Sequence, residues 1–266
     1  MRVMKLRIRV LPAALAVLLV LPVLSAGAGA SAVPGCHLRF ALADLPPFQS
    51  LKDGRPAGID VELVAEVARR MDCRVEWEQA PRQRAMVLLQ EGKVDAVAGV
   101  ARTAEREAIG LYSAPLRHGR NVLVVRRGEA ARFPLASLRD LAGTSFRLGI
   151  VQGSRYSQEF EDLVNDGALA GNLVAVQNGE SAMAMLMRDR IDGFLDGYRV
   201  AMDRAGRLDL VDKVEAHPMP VSGPEAYVVF SVAAKLDPSI PARFDAALAA
   251  MRADGTVARI VGTGDS

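Results

Sequence analysis

The strongest constraint on this chain is a structural programme written twice. From His37 the order is a strand LRFALA, a loop DLPPFQSLKDGRPAG, a helix IDVELVAEVARRM, a strand CRVEWEQ, a helix over residues 82–90 and a strand VDAVAGV. The first helix sets Ile59, Leu63, Val64 and Val67 on one face, the spacing of an amphipathic helix. From Phe146 the order returns as strand FRLGIV, turn QGSRY, helix YSQEFEDLVNDG, strand LVAVQ, helix SAMAMLMRDR and strand IDGFLDG. The segments EGKVDAVAG and RDRIDGFLDG each close a helix with a basic residue and enter a strand through a branched apolar residue and Asp. Strands that alternate with helical patterns predict a parallel sheet covered on both faces. Two α/β lobes of like construction are therefore expected, although so short an echo supports repeated architecture more securely than gene duplication.

Between the two programmes lies PLRHGRNVLVVRRG, and after the second lies PMPVSGPEAYVVFS. Both hold an extended run beside turn residues, as two interlobe crossings would. A helical segment at 240–251 and RADGTVARIV follow, and their return to the first lobe would leave a cleft between the lobes. The expected partition is residues 33–117 with 226–266 in one lobe and 118–225 in the other. Ligands bind such sheets at the carboxyl ends of their parallel strands.

The first 32 residues read as a secretory signal peptide: Arg2, Lys5, Arg7 and Arg9, an apolar run at 10–24, and a small-residue exit. The alternative is an uncleaved anchor, against which Pro12, Pro22 and the alanine-glycine exit argue. A lipoprotein reading through Cys36 fails on the Val-Pro-Gly before it. The segment holds four of the 33 basic residues and no acid, so cleavage leaves 29 against 31, a formal charge of −2. Nucleic acid and anionic membranes are thus not favoured as partners. Cys36 and Cys73 each stand at the start of a strand in an oxidising compartment; a disulfide and a pair of buried thiols are the two readings, the former preferred.

Enzymatic constellations are weak. His37, His118 and His217 lie far apart in sequence, and the phosphate-loop, dinucleotide and GxSxG patterns are absent. No Cys/His spacing points to a metal, and no cofactor is expected. Recognition features are stronger. Arg106 follows the strand end of VDAVAGV, where a guanidinium fork can hold a carboxylate through two parallel bonds; a solvated ion pair with Glu105 or Glu107 is an equal alternative on position alone. Gly153-Ser154 occupies the matching turn of the second programme, suited to an anion at a helix start or to ordinary helix capping. Asp196 closes IDGFLD and either pairs with a ligand ammonium or forms a turn before Gly197. Asp95 and Asp192 begin their strands and read as structural. Phe48, stiffened by Pro46-Pro47, either covers a ligand or packs on the core. Trp77 reads as core; Arg82 and Arg84 are weaker candidates for the cleft.

Taken in order, LPPF with GIDVELVAEVARRM, EGKVDAVAG, RTAERE with YSAPL, LGIVQGS, RIDGFLDG and AALAAMRADGTVARIV resemble the bacterial extracellular solute-binding proteins of family 3, across nearly the whole mature chain. The resemblance implies a type II periplasmic binding protein fold. Each lobe is a mainly parallel sheet flanked by helices, and two crossing strands join them. It implies that Arg106 holds an α-carboxylate with help from Gly153 and Ser154, that Asp196 holds the α-amino group, and that Phe48 packs on the ligand. It further implies a non-catalytic, periplasmic, monomeric protein that passes a small-molecule solute, a polar amino acid in the first place, to the membrane permease subunits of an ABC importer. The sequence departs from the family pattern at Gly99 to Arg102, where Ala101 and Arg102 replace the usual serine or threonine, and at Leu116, where an aromatic is lost. Gly99 and Arg102 thereby join the expected ligand-binding set, and Arg102 suits a dicarboxylate or other organic acid as well as an amino acid. The rival functions are a ligand sensor for a signalling partner and a secreted dehydratase of cyclohexadienyl or arogenate type.

Overall fold

The computed structural model describes residues 36–152, 154 and 156–262; the expected signal peptide and Gly153 lie outside the described residues. The chain first lays down β1 (Cys36–Leu42), a hairpin of β2 (Ser50–Lys52) and β3 (Arg55–Ala57), and α1 (Ile59–Arg70). It continues with β4 (Cys73–Gln79), α2 (Arg82–Gln90), β5 (Ala96–Val100), α3 (Ala104–Glu107) and β6 (Gly110–Tyr112). A second set follows: β7 (Arg120–Arg126), β8 (Leu148–Val151), α4 (Gln158–Asn165), β9 (Leu173–Val176), α5 (Gly179–Met187), β10 (Gly193–Gly197) and α6 (Tyr198–Arg207). The short strands β11 (Val214–Ala216) and β12 (Val221–Ser222) end this set, and β13 (Tyr227–Ser231), α7 (Ile240–Ala253) and α8 (Thr256–Val261) complete the chain.

Two sheets define two lobes. The first has the order β4-β1-β5-β13-β6, and the second β11-β7-β10-β8-β9 with β12 also beside β7. In each, three strands run parallel with the first of them in the middle: β4-β1-β5 and β9-β8-β10. The fourth strand is antiparallel and arrives from the other half of the chain, β13 against β5 and β7 against β10. The mainly parallel sheets are thus parallel trios completed by antiparallel strands.

The runs NVLVV and YVVFS are not the crossings themselves. NVLVVR becomes β7, with Val122 and Val124 in one core cluster and Leu123 and Val125 in another, so both faces are buried and the run carries no polar alternation. The crossings are the short segments before β7 and before β13, where Arg117 and Ala226 form an antiparallel bridge. There is no room for side chains at that point: a Cβ on Gly119 would lie 2.4 Å from the Pro224 carbonyl oxygen, and one on Gly223 2.3 Å from that of Gly119. The first loop also contains the β2-β3 hairpin, and α6 is a further helix that the apolar pattern does not mark.

The sequence echo has a physical basis. Asp95, just before β5, accepts the Arg39 amide at 2.7 Å and the Arg39 Nη2 at 2.9 Å. Asp192, just before β10, accepts the Arg147 amide at 2.8 Å and the Arg147 Nη2 at 2.7 Å. In both lobes the acid at the foot of the third strand clasps the backbone and side chain of an arginine, Arg39 within the first strand of one lobe and Arg147 just before that of the other. Burial alone would raise the Asp192 pKa, but the bonds from Arg147 carry it below the usual carboxylate value. Both acids lie at the amino ends of their strands, away from the cleft, and are structural as expected.

Cys36 and Cys73 are register partners on the parallel strands β1 and β4 and form a disulfide. Trp77 is partly buried, packed on Phe40 at 5.3 Å between centroids.

Replacing Cys36 by Ser should lower stability by about 3–4 kcal/mol through restored loop entropy across 37 residues, read as a lower denaturant midpoint with ligand affinity unchanged. Asp95→Ala should cost about 1–3 kcal/mol, since it strips the Arg39 amide and guanidinium of their acceptor. An unchanged thermal midpoint in that variant would show that the clasp contributes nothing.

Candidate functional site

A cavity of about 360 Å³ opens between the lobes. Its walls come from the carboxyl ends of five parallel strands. Leu45 and Phe48 follow β1, and Arg82 and Gln83 follow β4. Gly99, Ala101 and Arg106 end and follow β5, Gln152 and Ser154 follow β8, and Asp196 ends β10. Arg117 and Gly119 of the first crossing, Arg120 and Asn121 at the start of β7, Tyr198 to Val200 of α6 and Pro224 to Ala226 of the second crossing complete the wall. This is the position at which α/β sheets with parallel strands expose free backbone ends and loops to a ligand.

The local geometry begins with a bulge in β5. Between the Val97 and Val100 pairings two residues of β5, Ala98 and Gly99, oppose the single Val228 of β13, and Gly99 takes φ 71°. Val97 and Val100, three apart, consequently lie in the same core cluster, which a regular strand forbids. A Cβ on Gly99 would stand 2.5 Å from the Asp60 Oδ2, so the position requires glycine both for its backbone and for its space. The bulge turns the carbonyls of Gly99 and Ala101 toward two guanidiniums: Arg82 Nη2 donates to Gly99 O at 3.1 Å and Arg106 Nη1 to Ala101 O at 3.1 Å. Arg106 sits in α3, whose start is capped by the Thr103 hydroxyl accepting from the Arg106 amide.

Beneath this surface lies a buried polar network. Asp60, in the first turn of α1 and fully buried, accepts Arg117 Nε at 2.6 Å and Nη2 at 3.3 Å. Gln49 donates to Asp60 at 3.2 Å and to Ala98 O at 3.0 Å, and accepts the Ala43 amide at 3.1 Å. The Arg117 guanidinium stacks on the Phe48 ring, 3.4 Å from its centroid. The amides of Ile59 and Asp60 donate to Pro47 O and Phe48 O, which pins the Phe48 loop to the start of α1. Phe48 is therefore both packed and cavity-lining.

On the opposite wall Asp196 is already engaged. The Arg204 Nη1 of α6 pairs with its Oδ2, and the Gly197 amide donates to its Oδ1 at 2.8 Å. Burial raises the Asp196 pKa above the usual value, while Arg204 and the Gly197 amide pull against it. Ser154 lines the cavity but does not cap the following helix, which starts at Gln158 with the Ser157 hydroxyl accepting from the Phe160 amide. Tyr156 instead anchors the end of β8: its hydroxyl accepts the Val151 amide at 2.8 Å, and burial pushes its pKa up to about 12.

Arg102 is the expected ligand residue that the structure turns elsewhere. Its guanidinium pairs with Glu107 and lies over the Tyr112 ring, facing a neighbouring groove rather than the cavity. Its carboxylate partner lies five residues on, across α3, close enough to capture it first. Arg84 is exposed outside the cavity, whereas Arg82 lines it. Arg82 keeps solvent contact through the cavity with protein on its other sides. That desolvation first, then the charges of Arg106 and Arg117, hold its pKa below the ordinary arginine value, while Asp60 opposes the shift. Arg117, Asp60, Gln49 and Arg204 escape the sequence reading, although Arg82 at the first position of α2, where the helix dipole disfavours a cation, carried a legible signal.

Two lobes, two short crossings and a cleft lined by strand ends define a two-lobed binding protein of type II construction. The family model of the bacterial extracellular solute-binding proteins, family 3, matches residues 38–263, and the chain belongs to that family. It is 27% identical to the Vibrio harveyi protein named "Putative amino-acid ABC transporter-binding protein PatH", covering 80% of this chain and 82% of that one. Among solved structures, an ancestral arginine-binding protein bound to arginine superposes with a TM-score of 0.66 at 25% identity, over 84% of this chain and 96% of that one. A histidine kinase sensor domain with similarity to periplasmic binding proteins shares the fold, with a TM-score of 0.67 at 20% identity over 85% and 94% of the two chains.

Replacing Arg117 by Ala should leave the Asp60 charge buried and unpaired and destabilise the protein by about 3–5 kcal/mol. In chemical denaturation, the further change Asp60→Leu in that background should recover part of the loss. A single Arg117→Ala variant as stable as the parent would remove the pair from the structural frame.

Proposed function

We infer that this chain is a periplasmic, non-enzymatic binding protein that captures a carboxylate-bearing solute, an amino acid or related acid, between its lobes and delivers it to an ABC importer. The observation that carries this reading is Arg106. Beyond its bond to Ala101 O its fork has no partner among the described residues, and it faces the cavity at the exit of β5. A guanidinium held by one backbone bond is preorganised to accept a carboxylate with little further loss of freedom.

Other residues fit supporting roles. Ser154, across the cleft, offers its hydroxyl to the same carboxylate while its amide is held by the Val151 carbonyl, and the Gly99 segment shapes the floor. Phe48 offers an apolar ring edge beside the stacked Arg117. Asp196, assigned to a ligand ammonium, has to serve it while still bound to Arg204, each oxygen using a remaining lone pair. The lobe boundary belongs at residues 117/118 and 225/226, and the Gly119–Gly223 contact is the place about which the lobes close.

The histidines support a binding role over a catalytic one. His217 uses both ring nitrogens internally, with Nδ1 accepting the Met219 amide and Nε2 against Phe133 O, while His37 and His118 face Glu76 and Glu225. Delivery to an importer draws support from the relative whose name assigns it to an amino-acid ABC transporter.

The test is calorimetry on ligand-stripped protein. Arg106→Ala should weaken binding of a carboxylate ligand by about 2–4 kcal/mol with the thermal midpoint of the free protein preserved. Unchanged affinity would remove Arg106 from the site.

A further inference from the structure

The charges around the cleft do not balance, and the imbalance lies on its open face. Seven charged groups line the wall and sort by partner; Arg199 is already tied to the Val261 carbonyl at 2.7 Å. Arg117 is matched by Asp60 within the first lobe, and Asp196 is matched by Arg204 within the second. Glu225 sits at the partly exposed rim, where it takes the Tyr227 hydroxyl and faces His118. Arg82 and Arg106 line the cavity with no carboxylate partner among the described residues; each is tethered only to a backbone carbonyl. Arg120 is a third such cation, stacked over the Tyr198 ring at 4.7 Å with no carboxylate partner among the described residues.

Arg82 and Arg106 are neighbours. They hang from carbonyls two residues apart, and both also line a small recess floored by Ala43, Met86, Val97, Ala98 and Val100. The field of Arg106 is one of the influences that lower the Arg82 pKa. Arg82 also sits against the dipole at the first position of α2, where a cation is otherwise disfavoured. Two like charges beside one apolar recess are tolerable while water fills the cleft. Closure removes that water, and the repulsion grows as the local dielectric falls.

We propose that the solute of this cleft carries two carboxylates, as a short diacid or an acidic amino acid does, one held at Arg106 and the other at Arg82 with Arg120 closing from the second lobe. This rests on the binding role of the cleft. A zwitterion with a single carboxylate brings no net charge and leaves two of the three cations uncompensated in the closed form. A second carboxylate cuts that excess to one. The ammonium contributes little to selection, because the acid that faces it is already occupied by Arg204. Cationic side chains are repelled by the same three arginines.

The deciding experiment is isothermal titration of the unfolded, washed and refolded protein with succinate, L-glutamate, L-glutamine and L-arginine. At least one of the two dicarboxylates should bind at least about tenfold more tightly than glutamine or arginine. Arg82→Gln should weaken that dicarboxylate by at least about tenfold while changing any glutamine affinity by less than about threefold. Circular dichroism verifies the fold, and Arg120→Gln provides the same comparison if the Arg82 variant does not fold. Glutamine or arginine binding as tightly as both dicarboxylates, with the binding lost in Arg106→Ala, would overturn the two-carboxylate proposal and leave the carboxylate-binding reading standing. Dicarboxylate affinity unaltered in the folded Arg82→Gln or Arg120→Gln variant would overturn the assignment of the second anion position. Heat from none of the four compounds would overturn both the proposal and the reading beneath it.

Discussion

The buried ion pair of Asp60 and Arg117 is the joint on which the first lobe and its cleft depend. Taking both charges out of water is costly unless the remaining donors and acceptors are also met, and here they are met by parts of the chain far apart in sequence. Gln49 bonds the same carboxylate and reaches Ala43 and Ala98, while Gly99 leaves space for the acid by having no side chain. Arg117 is at once the acid's partner, the plate over Phe48 and the first residue of a crossing. The helix start, the aromatic loop, the bulge and the crossing therefore hold fixed positions relative to one another. Whatever the second lobe does on closing, it moves against a preassembled wall.

Much of the fold was legible because it rests on periodicity. The alternation of strands and helices predicts two sheets with parallel strands, and the echo of Asp95 and Asp192 marks the same clasp built twice. The two cysteines at strand starts become register partners once β1 and β4 pair. What misled was contiguous burial. β7 presents five buried residues in succession because both its faces meet core, and such a run reads equally as an extended connection. α6 was hidden for the opposite reason. Its sequence YRVAMDRAGR is largely polar, and its inward face includes Arg204, whose purpose appears only when Asp196 is beside it.

The candidate site was legible in position more than in partnership. Arg106, Phe48, Gly99, Ser154 and Asp196 all reach the cavity, since each stands at or just beyond the end of a parallel strand. Sequence position shows which loop a side chain occupies but not which charge it meets. Arg102 is drawn aside by Glu107, whereas Arg106, four residues farther along and flanked by two glutamates, stays open. Asp60 reads as an ordinary acid in a helix first turn, because its partner is 57 residues away.

This division between frame and facing groups explains how a shared fold can accompany different ligand charge. An ancestral arginine-binding protein superposes on this chain through sheets, helices and crossings, none of which specifies the charge of a bound molecule. That charge is set by a few side chains on strand-end loops, where substitution leaves the core intact. In this chain the first lobe presents open guanidiniums, and the acid of the second lobe is closed by its own arginine. Changing that charge would not require a new fold: freeing Asp196 from Arg204 and removing Arg82 would lower the positive charge of the open face. The buried pair of Asp60 and Arg117 would remain untouched by either change, because it neutralises itself within one lobe.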